Sequence, residues 1–287
     1  MSAKTRADII SEVADLFGEY LKLTATDGST VTIADTVNLY QPDSLWVGHY
    51  AYVLTDVGGV HAAPEGQERP VTAYAGNTVT VSPAFTVAVA AGDVCELLPV
   101  QRSVLVRAIN AGIREGGHTW LVPVVDEDTE LDEELYDYDL PADLVDLSRV
   151  LVREDTDQPW AEVPARNWRV TGVPGAQVLT FRTWNGLSED FTLCLEYYAR
   201  PNELATDSAT LGLGEPAERE LVEFIIQYAL YWLHDRLANK NESQGTFQVH
   251  YTKASNYLKI AMGMKARAMG RRGAKSLRTS RVARARG

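Results

Sequence analysis

Residues 102–115 read Arg-Ser-Val-Leu-Val-Arg-Ala-Ile-Asn-Ala-Gly-Ile-Arg-Glu, and Val104, Leu105, Ala108, Ile109 and Ile113 fall on one stripe at helical spacing. Gly116-Gly117 supplies the stop. What precedes this helix has a different period. From Thr24 to Leu98 short β-rich runs alternate with turn chemistry: Thr30–Ile33, His49–Val57, Val71–Tyr74, Thr78–Val81 and Val94–Leu98. Asp27-Gly28, Gly58-Gly59, Gly76-Asn77 and Gly92-Asp93 separate them. Strands this short and frequent predict a small barrel or sandwich.

Before that β segment lies another helix. Residues 5–22 carry Ile9, Val13, Leu16, Phe17 and Tyr20 at three- to four-residue spacing, with Thr5 and Asp8 placed as a cap. Two helices of similar length therefore flank a self-contained β stretch. The expectation is an insertion between paired helices, giving a non-contiguous helical domain.

Beyond Gly117 a second β region spans about 121–201. Phe191, Leu193, Leu195 and Tyr197 alternate with Thr192, Cys194, Glu196 and Tyr198, a strand with one face inward. Val178–Arg182 reads as its neighbour, with Trp184-Asn185-Gly186-Leu187 as the hairpin turn. After Pro201 a polar link leads to two helices, about Glu215–Asn239 and Thr246–Ala268, whose short connection implies an antiparallel pair. The fold class expected is α+β. A helical core of 1–23, 99–120 and 212–265 carries a β-barrel or sandwich module at 24–98, a second β domain at 121–201 and an extended basic arm at 266–287.

The arm stands out by charge. Lys265, Arg267, Arg271, Arg272, Lys275, Arg278, Arg281, Arg284 and Arg286 give the last 23 residues nine positive charges and no negative one. The chain's net −12 thus divides into +9 there and −21 over the rest. An acidic body with a basic end points to an interaction protein with an acidic partner, nucleic acid or protein; a solubilising terminus is the plainer reading. Cys95 and Cys194 sit in apolar surroundings with no CxxC, as packed thiols of a reducing compartment. The N-terminus lacks the apolar run of a signal peptide, so the chain is expected to be soluble and non-secreted, with no membrane partner.

Enzyme chemistry has little footing. GxxxxGK[ST], HExxH, GxSxG and a strand-then-helix GxGxxG are all missing, so no catalytic residue and no cofactor are assigned. None of the five histidines sits at metal spacing, although His234 and His250 lie on opposite arms of the final hairpin and can approach each other. Nine carboxylates crowd residues 126–139, among them Asp126, Asp128, Glu130, Asp132, Glu133 and Glu134. The first three imitate a calcium loop, but Leu131 stands where that loop turns on Gly and Asp137 where it needs Glu, so no metal is assigned. The run is instead a solvated loop or a patch that meets the basic arm of another copy. Arg166-Asn167-Trp168-Arg169 and Phe181-Arg182-Thr183-Trp184 could stack on bases, yet their acidic surroundings favour core and edge positions of a sandwich.

From about residue 102 onward the order of segments resembles the head–tail connector proteins of tailed bacteriophages, also called adaptor, head-completion or neck proteins. The helix Val104–Arg114, the segment Tyr138-Asp139-Leu140-Pro141-Ala142-Asp143-Leu144, and Leu195-Glu196-Tyr197-Tyr198-Ala199-Arg200-Pro201 before the helical pair carry it. Thr5-Arg6-Ala7-Asp8-Ile9-Ile10 also looks like the first helix of such proteins. The β segment at 24–98 departs from a minimal connector.

The resemblance implies a structural virion protein, made in the host cytoplasm and placed at the head–tail interface. It implies a ring, with twelve as the expected number, docked beneath the portal protein and joined on its other side to tail, tail-terminator or neck proteins. Packaged double-stranded DNA would pass through the channel, and the arm Lys265–Gly287 would reach into the portal. A tail or baseplate component, and a nucleic-acid-binding protein acting through the arm, are the alternatives.

Overall fold

The computed structural model describes residues 3–57, 64–131, 136–155, 157–173, 175–182, 191–213, 217–240 and 246–284. It is a mixed α+β structure of four helices and three antiparallel sheets. The chain falls into two compact units. One comprises 1–112, 204–210 and 222–267; the other comprises 113–203, 211–221 and 268–287.

In the first unit, α1 (Arg6–Phe17) begins with a capping box. The Thr5 side chain accepts from the Asp8 backbone, and the Asp8 carboxylate accepts from Thr5 N–H at 2.9 Å. Ile9, Ile10, Val13 and Ala14 are buried on its inner side. The helix ends at Phe17, short of the expected 22, because Leu21–Thr24 forms a strand instead. Gly18, extended at the C-cap, ends the helix before Tyr20, which the helical spacing had included.

Strands β1 (Leu21–Thr24), β2 (Asp27–Gly28), β3 (Thr32–Ala34), β4 (Tyr50–Thr55), β5 (Glu68–Ala75), β6 (Thr78–Val81) and β7 (Val94–Leu98) form one sheet in the order β1-β7-β4-β5-β6-β3-β2. A closed barrel was one expectation, and among the described residues no ladder closes this sheet. The edge strands β1 and β2 follow one another in the chain, β1 pairing with β7 and β2 with β3, and no ladder among the described residues joins them to each other. Gly76 and Asn77, both at positive φ, make the tight β5–β6 hairpin that the Gly-Asn pair predicts. Leu23, Ile33, Val53, Val79, Phe85 and Leu97 lie in its core. Buried Asp93 pins the loops by accepting from Val57 N–H at 2.9 Å and Ala90 N–H at 2.8 Å.

Helix α2 (Arg102–Gly116) buries Leu105, Ala108 and Ile109 in this unit. At Gly112 it approaches α3 (Ala217–Lys240) so closely that a Cβ would lie 3.1 Å from the Ile225 Cα. The last helix, α4 (Phe247–Arg284), buries Ala254 and Ala261. It runs past Ala268, where the sequence reading ended it and began an extended arm. Ala, Arg, Lys, Leu and Met are strong helix formers, and they outweigh the isolated glycines 263, 270 and 273.

The second unit is built on β8 (Val122–Glu130), β9 (Asp137–Asp139), β10 (Leu144–Arg153), β11 (Ala161–Glu162), β12 (Trp168–Val173), β13 (Ala176–Phe181) and β14 (Thr192–Ala199). A four-stranded sheet runs β11-β10-β14-β8 and a three-stranded one β12-β13-β9. Leu193, Leu195, Tyr197 and Ala199 point into the core from β14, as the alternation predicts. The expected pairing of β14 with the strand at 178–182 does not form. β13 is occupied on one edge by β12 and on the other by β9, while β14 lies between β10 and β8. The proposed turn at 184–187 lies outside the described residues.

Candidate docking surfaces

The basic arm is a continuation of α4. Its helical backbone passes through positions 265, 267, 271, 272, 275, 278, 281 and 284, about 29 Å from first to last at the usual rise; Arg286 lies outside the described residues. Lys265 is half-buried and Arg267 exposed. Arg271 is already engaged. Its two terminal nitrogens donate to both carboxylate oxygens of Glu220, each at 2.7 Å, within the second unit. Sequence reasoning missed this pair, although Glu218 and Glu220 in the first turn of α3 are where a helix N-terminus favours acid.

The acidic run is split by the structure. Residues 126–130 belong to β8, an extended strand rather than a turning loop, which removes the calcium-loop geometry. Glu127 pairs with Arg153 at 3.7 Å, and Arg153 also stacks 4.2 Å from the Trp160 ring. Only the backbones of Asp128 and Glu130 are described, and Asp132, Glu133 and Glu134 lie outside the described residues. Among the described residues no group of three or more His, Cys, Asp or Glu side chains could hold a metal ion. The aromatic–basic segments resolve toward the core. Trp168 donates to the Val163 carbonyl at 3.1 Å and Phe181 is buried, while Thr183 and Trp184 are outside the described residues.

A polar cluster in the first unit was not foreseen. Arg102, 5% exposed at the start of α2, binds the carboxylate of Glu96 on β7 and donates to Asp207 Oδ2 at 2.7 Å. Its guanidinium lies 4.6 Å from the Tyr52 ring centroid. Asp207 also accepts from Arg6 at 2.6 Å, and Tyr20 O–H donates to Glu96 at 3.1 Å. Glu68 accepts the Arg102 backbone N–H at 2.5 Å. Burial raises the Glu96 pKa, opposed by Arg102. Burial also works to raise Asp207, but hydrogen bonds from Arg6 and Arg102 prevail and lower it. These charges tie α1, β7, α2 and the 204–210 segment into one piece.

His234 and His250 do meet, Nδ1 to Nδ1 at 3.1 Å, with His234 2% exposed. The Phe17 ring packs tilted against His234 at 4.8 Å, and Tyr257 stacks on it at 5.6 Å. Burial first, then Lys253 and His250, push its pKa down to about 4, so it is a neutral core histidine.

Acid–base networks and surface charge are thus what these residues present. A family model described as SU10 adaptor protein matches residues 86–282, from the approach to β7 to near the end of α4. The chain belongs to the SU10 adaptor protein family. SU10 adaptor membership makes it a phage adaptor, a structural and non-enzymatic class. In this adaptor α1 and β1–β6 lie outside the matched residues. No curated protein matches the chain. Among the described residues, no helix of the adaptor is long and apolar enough to cross a membrane.

Proposed function

We propose that this adaptor assembles as a ring of twelve copies beneath the portal protein, joining the DNA-filled head to the tail. The segments 1–23, 99–120 and 212–265, which carry the helices, form the ring-building core, with 24–98 and 121–201 as its β modules. The basic end of α4 docks into acidic grooves of the portal, and the acidic run beginning at Asp126 lines the path of the neighbouring copy's arm. Packaged DNA passes through the channel, whose net negative walls disfavour adhesion. Tail, tail-terminator or neck proteins bind the opposite side, which places the protein in the virion.

One observation carries this reading: the family match extends to residue 282, so most of the basic segment belongs to what the family shares. A segment of that kind supports docking better than it supports a solubilising tail. Many weak arms around a ring add avidity once a completed target presents all sites together.

Deleting Lys265–Gly287 tests it. Portal binding, measured by co-sedimentation with purified portal rings, should vanish while the body keeps its fold. The nucleic-acid reading predicts instead a loss of DNA binding whose affinity falls steeply with salt. Retained portal binding by the deleted protein would reject the docking arm.

A further inference from the structure

Two helix faces in the first unit are complementary to each other. Because α1 buries Ile9, Ile10, Val13 and Ala14, its outward side presents Asp8, Glu12 and Asp15 at four- and three-residue spacing, beside Leu16 at 50% exposure. Lys4 pairs with Glu12 at one edge, and Asp15 has no ion-pair partner among the described residues. Because α4 buries Ala254 and Ala261, its outward side carries Lys253, Lys259 and Arg267 around Val249 and Ile260, which are 55% and 50% exposed. None of these three cations has an ion-pair partner among the described residues. Between them, Gly263 has nothing within 4 Å of where a Cβ would stand, so another helix can come close.

Both faces are exposed to solvent, so they do not cover one another within a chain. The α4 face sets cations around two exposed apolar side chains, the α1 face sets carboxylates beside one, and the two are predominantly opposite in charge, as across a protein interface. We propose that the outward face of α4 in one copy packs on the outward face of α1 in the next. The two patches differ, so the contact is heterologous and propagates from copy to copy, as a ring requires. It rests on the ring reading above and names the surfaces that build it. The occupant is a second copy of this chain because the chain itself supplies both halves of the match.

Sedimentation velocity on the full chain at low salt, over a concentration series, decides it with four proteins. These are the wild type, Lys253→Glu with Lys259→Glu, Glu12→Lys with Asp15→Lys, and all four changes together. None of these positions belongs to the arm or the caps, and thermal unfolding of each variant verifies its fold. The wild type should assemble, each single-face reversal should weaken assembly about tenfold or more, and the combined variant should recover it. Full assembly by both single-face reversals, or no recovery in the combination, would overturn this surface and leave the ring standing. A wild type that stays monomeric at every concentration, alone and with portal rings, would overturn the ring and this interface together.

Discussion

Arg102 Nη2 lies 2.7 Å from Asp207 Oδ2, joining residues 105 positions apart at the start of α2 and in the segment that leads to α3. Around that contact, Glu96, Tyr52, Tyr20 and Arg6 complete a partly buried network whose inner pair is Arg102 and Glu96. Charges held this far from water are costly when their partners are removed, and that cost makes the network testable.

Arg102→Met should destabilise the protein by about 3–5 kcal/mol, because it strands the Glu96 carboxylate at 1% exposure. Urea unfolding measures it. Adding Glu96→Gln should return part of the loss, since a neutral amide is cheaper to bury than an unpaired charge. A change below about 1 kcal/mol for Arg102→Met would show that water reaches the site freely.

Stability should fall as pH drops from 6.5 toward about 4. His234 has its folded pKa lowered to about 4, so across that window the unfolded chain takes up a proton that the folded chain refuses. The loss is up to about 3 kcal/mol, complete below the folded value. Its neighbours on α4 are His250, Lys253 and Tyr257, and α1 contributes only the ring of Phe17. Guanidinium unfolding at a series of pH values should show the slope in the wild type and a flatter line in His234→Phe.

Gly112→Ala tests the α2–α3 contact. Helix propensity alone favours alanine by about 1 kcal/mol. The new methyl would press on the Ile225 backbone at 3.1 Å, an overpacking cost of about 1–3 kcal/mol. A lower melting temperature is the expected net result, and a rise would mean that the two helices separate easily.

Glu220→Gln probes the role of Arg271 from the other side. The pair is largely exposed, so its loss should change stability by less than about 1 kcal/mol. Portal binding, followed by co-sedimentation, should be unchanged or stronger, since Arg271 is released for docking. Weaker binding would mean that the pair itself orients the helix.

Local rules served well where the signal is local. The stripe of Val104, Leu105, Ala108, Ile109 and Ile113 gave α2, and Gly76-Asn77 gave its hairpin. Period-two alternation placed the inward face of β14. Pairing between distant strands left no such trace: nothing in residues 178–182 says that they prefer Tyr138 and its neighbours to Leu193. The Arg102 network was hidden for the same reason, since its members come from positions 6, 20, 52, 96 and 207 and no spacing connects them. Of the docking surfaces, the arm was legible as charge. Its helical form was not, because glycine at 270 and 273 reads as a breaker although the residues around them favour helix.

The pairing of β1 with β7 has a consequence for the protein's history. First and last strands of the seven-stranded sheet are hydrogen-bonded neighbours, Leu21 opposite Leu97 and Thr24 opposite Val94. The chain therefore leaves this sheet beside the point at which it came in, about one strand spacing, or 5 Å, away. A lineage could gain, lose or exchange everything between those two points as a cassette, and the helices on either side would feel no change in the distance they must span.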